Sequence, residues 1–359
     1  MNLYIQKEYF GALLPFIENE KITDITWNGK ELWVDDLEKG RHPVSLKLEA
    51  SFLDSFAARI ANLANVNFNR SQPVLEAETD NLRISLIDRS VTNTDYTLAI
   101  RKTPAVRRLS EQSMIKDEYA GTDVLQFLKA AVKGRCSIIV TGDVGSGKTE
   151  LVKYLTKHIE PYSRTISIED NFELRLSVIN PRLDCVEMKA AENFSYEQAI
   201  KAALRQMCRW MLLSEARGRE VNYLLEAAST GCSVMTTIHS DDVRKLPDRI
   251  MNMMGNQGTD RQNDIYSFFD IGIRVDVKNQ GNGIQRKLSQ ICILDRDRGV
   301  NRLQMLYQDG LWLDQPLPEN FLRKLKREEA LQYLPARVLK KEVMKDAFTS
   351  AEKIPQSDA

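Results

Sequence analysis

No apolar run in these 359 residues approaches the roughly 18 needed to cross a bilayer, so no segment is expected to span a membrane. Neither sign of charge is in excess: Lys+Arg and Asp+Glu number 50 each, leaving no global field that favours nucleic acid or an anionic lipid surface. The five cysteines (Cys136, Cys185, Cys208, Cys232 and Cys292) contain no C-x-x-C pair. That argues against a zinc site or a disulfide framework and for reduced, mostly buried thiols in a cytosolic protein. The opening stretch MNLYIQKEYFGALLPFI carries Lys7 and Glu8 inside its apolar part, so no signal peptide is expected. No internal repeat is visible.

What is present is concentrated in TGDVGSGKTELV. Gly142, Asp143, Val144, Gly145, Ser146, Gly147, Lys148 and Thr149 fit G-x-x-x-x-G-K-[ST]. A short apolar run, Cys136 to Val140, precedes them, and Leu151, Val152 and Leu155 follow at helical spacing. Strand, glycine-rich loop and helix are the context a phosphate cradle requires. Backbone N–H groups wrap the phosphates, and the helix start adds a positive dipole end. Lys148 is placed to neutralise the β- and γ-oxygens of ATP, and the Thr149 hydroxyl to hold Mg²⁺.

The length predicts two domains with an appendage. Residues 1–102 read as a small α+β domain. Ile25 and Trp27, an Asn28-Gly29 turn, then Leu32 and Val34 predict a hairpin with a two-residue loop. Phe52, Phe56, Ile60 and Leu63 predict an amphipathic helix, and two more strands follow at Ile84/Leu86 and Tyr96/Leu98/Ile100. Residues 103–120 read as a polar linker. Residues 121–300 alternate strand and helix, the pattern of a parallel α/β sheet, with strands ending at Val140, Ile168, Leu213 and Ile238. A Ser195-x-x-Gln198 capping box opens one helix. Residues 301–359 are charge-laced and expected to be helical; their basic run has a nucleic-acid or lipid reading, but a solvated helical face is preferred.

The residues that follow the four strand ends are the cradle, Glu169-Asp170, Glu215 and His239. Ligands of open parallel sheets sit at the carboxyl ends of the strands, so these groups are expected to converge on one crevice. One acidic residue after a strand is ordinarily a helix N-cap; four polar groups at four strand ends favour a site. In MLLSEARG, Ser214 stands where a P-loop ATPase usually has aspartate beside the glutamate. Mg²⁺ would then depend on Thr149, the phosphates and water, with Glu169 and Glu215 nearby. Glu215 is expected to orient the attacking water and Glu169 to support it. Arg217 reads equally as a helix-start residue or as a phosphate or subunit contact, and His158 as a packed histidine.

GDVGSGKT, TISIEDNFELRL, LLSEARG and GCSVMTTIHSDD resemble, in order and spacing, the P-loop, acidic box, atypical Walker B and histidine box of the type II/IV secretion (traffic) ATPases. ITDITWNGKELWV, NLRISL and LAIRKTP are similar to that family's N-terminal domain, so the likeness covers roughly residues 20–300. With no tetracysteine module, the chain resembles the conjugation/type IV secretion and tight-adherence pilus branch. The resemblance implies a RecA-like P-loop domain behind the smaller α+β domain. It implies a cytoplasmic homohexamer that hydrolyses ATP and works on inner-membrane secretion or pilus components, held at the membrane by those partners. It assigns Lys148 and Thr149 to the P-loop, Glu169 to the acidic box, Glu215 to catalysis and His239 to the later box histidine. Arg101 and Arg83 match N-domain arginines that reach the phosphates. Two positions depart from the pattern: Cys232 replaces the usual histidine after Gly231, and Ser214 the usual glycine before the glutamate. The competing readings are a RecA-like nucleic-acid translocase, which neutral charge disfavours, and an ATP-binding scaffold with little turnover. Direct nucleic-acid binding is not expected.

Overall fold

The computed structural model describes residues 4–255, 258–279, 283–313 and 315–339. They form two compact units, Met1–Ala105 with Lys278–Gln285, and Val106–Val277 with Arg286–Ala359.

In the first unit, β1 (Ile22–Trp27), β2 (Leu32–Asp36), β3 (Gly40–Val44), β4 (Val74–Glu78), β5 (Leu82–Ile87) and β6 (Thr97–Lys102) form an antiparallel sheet in the order β3-β2-β1-β6-β5-β4. Ile25, Val34, Ile84, Leu86 and Ile100 bury one face of it in a core shared with the helix Ala50–Ala64. Phe56 and Ile60 of that helix are fully buried, each worth about 1.5–3 kcal/mol relative to exposure. The first hairpin turns one residue later than the Asn-Gly pair suggests. Asn28 N–H donates to Glu31 O, and the Asn28 side chain accepts from the Lys30 and Glu31 N–H groups. Gly29 and Lys30 are therefore central, and Gly29 takes the positive φ of 90° that the turn needs.

The other sheet, in the second unit except for Lys278, Asn279, Ile284 and Gln285, consists of β7 (Ile138–Thr141), β8 (Thr165–Glu169), β9 (Cys185–Lys189), β10 (Trp210–Leu213), β11 (Ser233–Ile238), β12 (Ile271–Asn279), β13 (Ile284–Asp297), β14 (Val300–Gln308) and β15 (Leu311–Trp312). Their order is β15-β14-β13-β12-β7-β11-β10-β8-β9, parallel from β12 through β9. Both faces are covered. Ile138, Val140, Trp210, Leu212 and Met235 enter one core, while Ile139, Met211, Leu213 and Val234 enter the other. Burial on both sides is why these strands read as continuous apolar runs rather than alternating ones. The Ser195–Gln198 capping box forms with both of its hydrogen bonds.

Two boundaries differ from the sequence reading. The expected linker is partly built into the second unit: Met114, Tyr119 and Ala120 are buried in its core. Arg107 there donates to the carbonyls of Lys153 and Ile179 and to the Asn180 side chain. Polarity alone gave no sign of that docking. Residues 301–312, expected to be helical, lie in β14 and β15, and a helix starts only at Glu319–Arg327. There Phe321 stacks on Phe127, their ring centroids 5.9 Å apart, and Lys324 pairs with Asp270 at 2.5 Å. At least one cation of the basic run is thus spent on anchoring. The run's end, from residue 340 on, and residues 280–282 before β13 lie outside the described residues.

His158 sits just past the helix Lys148–Thr156, buried, with its ring edge-on to Tyr154 at 5.4 Å. Burial, helped by Lys157 nearby, lowers its pKa from 6.5 to about 4. The folded state thus favours neutral imidazole, so its contribution is complete above the unfolded pKa and is lost as pH falls from about 6.5 towards 4. His158→Gln should remove about 2 kcal/mol of the stability difference between pH 7 and pH 5. Denaturant melts of both proteins at the two pH values check it.

Candidate nucleotide site

The cradle forms at the carboxyl end of β7. Gly142 has φ 150°, and a Cβ there would meet the Val275 carbonyl at 2.2 Å. Gly147, at φ 93°, caps the helix Lys148–Thr156. Between them Asp143 and Val144 are exposed and Ser146 is buried, while Gly145 accepts a hydrogen bond from Arg286 Nε at 3.1 Å. Lys148 is largely buried and donates to the carbonyls of Gly142 and Asp143, both at 3.0 Å. Burial lowers its pKa, against the pull of Glu215 and Asp143.

The sheet order places the other groups beside it. β11 adjoins β7, β10 adjoins β11 and β8 adjoins β10, so His239, Glu215 and Glu169 follow the cradle in that sequence. Lys148 Nζ lies 3.4 Å from His239 Nδ1, and His239 Nε2 lies 3.0 Å from Glu215 Oε1. Lysine is only a donor, which assigns Nδ1 as acceptor and leaves the ring proton on Nε2, donated to the carboxylate. Arg217 donates to the other Glu215 oxygen at 2.8 Å and lies 3.6 Å from Asp170. Arg217 does sit at a helix start, its N–H donating to Glu220, and its side chain adds a role not considered from sequence: it holds the glutamate. A carboxylate with both oxygens anchored still has lone pairs to accept from a water.

Glu169 is placed differently from Glu215. It is fully buried, and its Oε2 accepts from the N–H groups of Glu173 and Leu174 at 2.9 and 3.0 Å. Burial lifts its carboxyl to about 7, the two N–H donors opposing. It therefore shapes the loop after β8, and Glu173 on that loop reaches the Thr149 hydroxyl at 3.5 Å. Sequence reasoning gave Glu173 no role; only its place four residues after Glu169, in the same acidic box, hinted at one. Hydroxyl and carboxylate are hard oxygen donors, the set Mg²⁺ takes alongside phosphate oxygens. Among the described residues no cluster of three or more His, Cys, Asp or Glu stands ready for a metal without those phosphates.

Arg101 and Arg83 face each other on β6 and β5 of the first unit. Arg101 Nε donates to Asp24 Oδ1 at 2.7 Å in a half-exposed ion pair, worth at most about 1 kcal/mol. Cys232 precedes β11 at the end opposite His239, about 20 Å away at the usual rise per strand residue. The residue at that position thus stands outside this cluster.

A family model described as "Type II/IV secretion system protein" matches residues 69–278. An uncharacterized protein of Bacillus anthracis is 26% identical over 260 residues, 71% of this chain and 58% of the relative, so the chain spans just over half that protein's length. The type IV secretion system protein PtlH of Bordetella pertussis is 28% identical over 253 residues, covering 63% of this chain and 74% of PtlH. Among solved structures, the ATPase DotB of Legionella pneumophila superposes with a TM-score of 0.62 at 17% identity, covering 80% of this chain and 81% of DotB. That likeness establishes the fold: a RecA-like α/β domain preceded by a smaller α+β domain.

Proposed function

Because the chain belongs to the type II/IV secretion system protein family, we propose that it hydrolyses ATP to drive protein secretion, conjugative transfer or pilus assembly through a membrane complex. The observation that carries the reading is the continuous link from Lys148 through His239 to Glu215. It ties the group that holds the terminal phosphates to the group that orients water.

The cradle N–H groups and Lys148 bind the β- and γ-phosphates. The Thr149 hydroxyl, with Glu173 beside it, would hold Mg²⁺, which would supply charge neutralisation for the phosphates. Glu215, fixed by Arg217 and His239, orients the water and takes up its proton's partial charge. When the γ-phosphate leaves, Lys148 is free to return to the loop carbonyls, and His239 passes that change to Glu215. Working state, partners and place follow the family reading: a homohexamer in the cytoplasm, docked on inner-membrane secretion or pilus components. Among the described residues no helix is long and apolar enough to cross a membrane.

Steady-state phosphate release by the purified full chain with Mg²⁺ and ATP tests the proposal. Release no faster than that of the Glu215→Gln variant would instead favour an ATP-binding scaffold. Arg101→Ala should keep nucleotide affinity within a few-fold and lose most hydrolysis, if Arg101 serves the phosphates. Unchanged turnover would leave it as the partner of Asp24.

A further inference from the structure

Cys208 and Cys232 are 24 residues apart in the chain, yet their sulfurs lie 3.5 Å apart. Cys208 stands just before β10 and Cys232 just before β11, and these two strands are hydrogen-bonded neighbours, with Trp210 opposite Ser233. The pair therefore sits across a strand junction, at the end of the sheet opposite the phosphate cradle. Cys208 is half-buried and Cys232 buried, so Cys208 is the more accessible of the two. The proposed nucleotide chemistry uses neither. Two sulfurs alone do not make a zinc site, which takes four ligands, and no metal cluster stands among the described residues.

We propose that Cys208 and Cys232 form a reversible dithiol–disulfide site that joins β10 to β11 when the protein meets a small-molecule disulfide. The Cys208 thiolate attacks one sulfur of the oxidant, forming a mixed disulfide and expelling one small thiolate, which takes the proton Cys208 gave up. The Cys232 thiolate then attacks the Cys208 sulfur, closing the internal bond and expelling the second small thiolate, which takes the proton from Cys232. The two protein thiols are oxidised and the small disulfide is reduced to two thiols, so atoms and electrons balance. The resulting staple joins the two strands whose far ends carry Glu215 and His239.

The test incubates the native full chain with oxidised glutathione and then blocks remaining thiols. Peptide mapping should recover a Cys208–Cys232 linkage, and the intact protein should carry two fewer blocking groups than the reduced control. Closing a loop of this length should raise Tm by roughly 5–10 °C, reversed by dithiothreitol. Cys208→Ser should abolish both changes, whereas Cys185→Ser should keep both. Circular dichroism and the Tm of the reduced variants establish that each is folded. A glutathione adduct that persists on Cys208, a linkage between other cysteines, or no oxidation at all would overturn the proposal.

Discussion

Glu215→Gln should lower steady-state ATP hydrolysis by roughly a hundredfold or more, the usual effect of removing a positioned proton acceptor. Nucleotide affinity should stay within a few-fold. The amide has the shape of the carboxylate but only one acceptor oxygen. In the native site both oxygens are occupied, one by His239 Nε2–H and the other by Arg217. The variant must therefore turn its NH₂ towards one of two donors, which weakens the hold on His239 or on Arg217. Equilibrium binding of a fluorescent ATP analogue, measured beside phosphate release, separates the chemical loss from any loss of affinity. Hydrolysis above a tenth of wild type would remove Glu215 from its role. If Glu169→Gln proves more damaging, the loop that carries Glu173 matters more than the water-orienting carboxylate.

Lys148→Ala should abolish tight ATP binding. The ammonium is largely withdrawn from water and is held by two loop carbonyls. A charge in such a place acts on phosphate with little screening. An affinity within about threefold of wild type, only ~0.7 kcal/mol, would sink the assignment. The substitution also removes the two internal bonds to Gly142 and Asp143, so loss of binding with an unchanged melting curve is the informative combination. Calorimetric titration with ATP and magnesium supplies the first measurement and thermal denaturation the second.

The parts of the site that were legible in sequence are those fixed by local geometry. The cradle needs glycines at set offsets, and four polar groups stood directly after four apolar strands, so convergence followed from the parallel sheet. What was not legible depends on side-chain direction. Glu169 directly follows Ile168 while Glu215 stands one residue further past the paired Leu213, and one turns back to accept two backbone N–H groups whereas the other faces the histidine. Arg217 could be seen as a neighbour of Glu215 in the chain but not as its clamp. The Cys208–Cys232 approach depends on which strands adjoin, information that no pair spacing carries. In the fold, β3 and β4 went unread because short edge strands alternate weakly. The docking of residues 106–120 was hidden because a polar segment can be held by hydrogen bonds as firmly as an apolar one is by burial.

The strand order also has a consequence for how the protein is made. β7, whose end forms the phosphate cradle, is hydrogen-bonded on one side to β11 and on the other to β12. Both neighbours lie far downstream, at Ser233–Ile238 and Ile271–Asn279. A chain emerging from the ribosome therefore carries a complete GDVGSGKT motif, ending at Thr149, well before either strand that supports it, the earlier of which starts at Ser233. Through that interval β7 is an unpaired apolar segment, and its two pairings are contacts of long sequence separation, which form slowly. Competence to hold a nucleotide is acquired late in synthesis, and fragments ending before β12 lack the second support of their own P-loop.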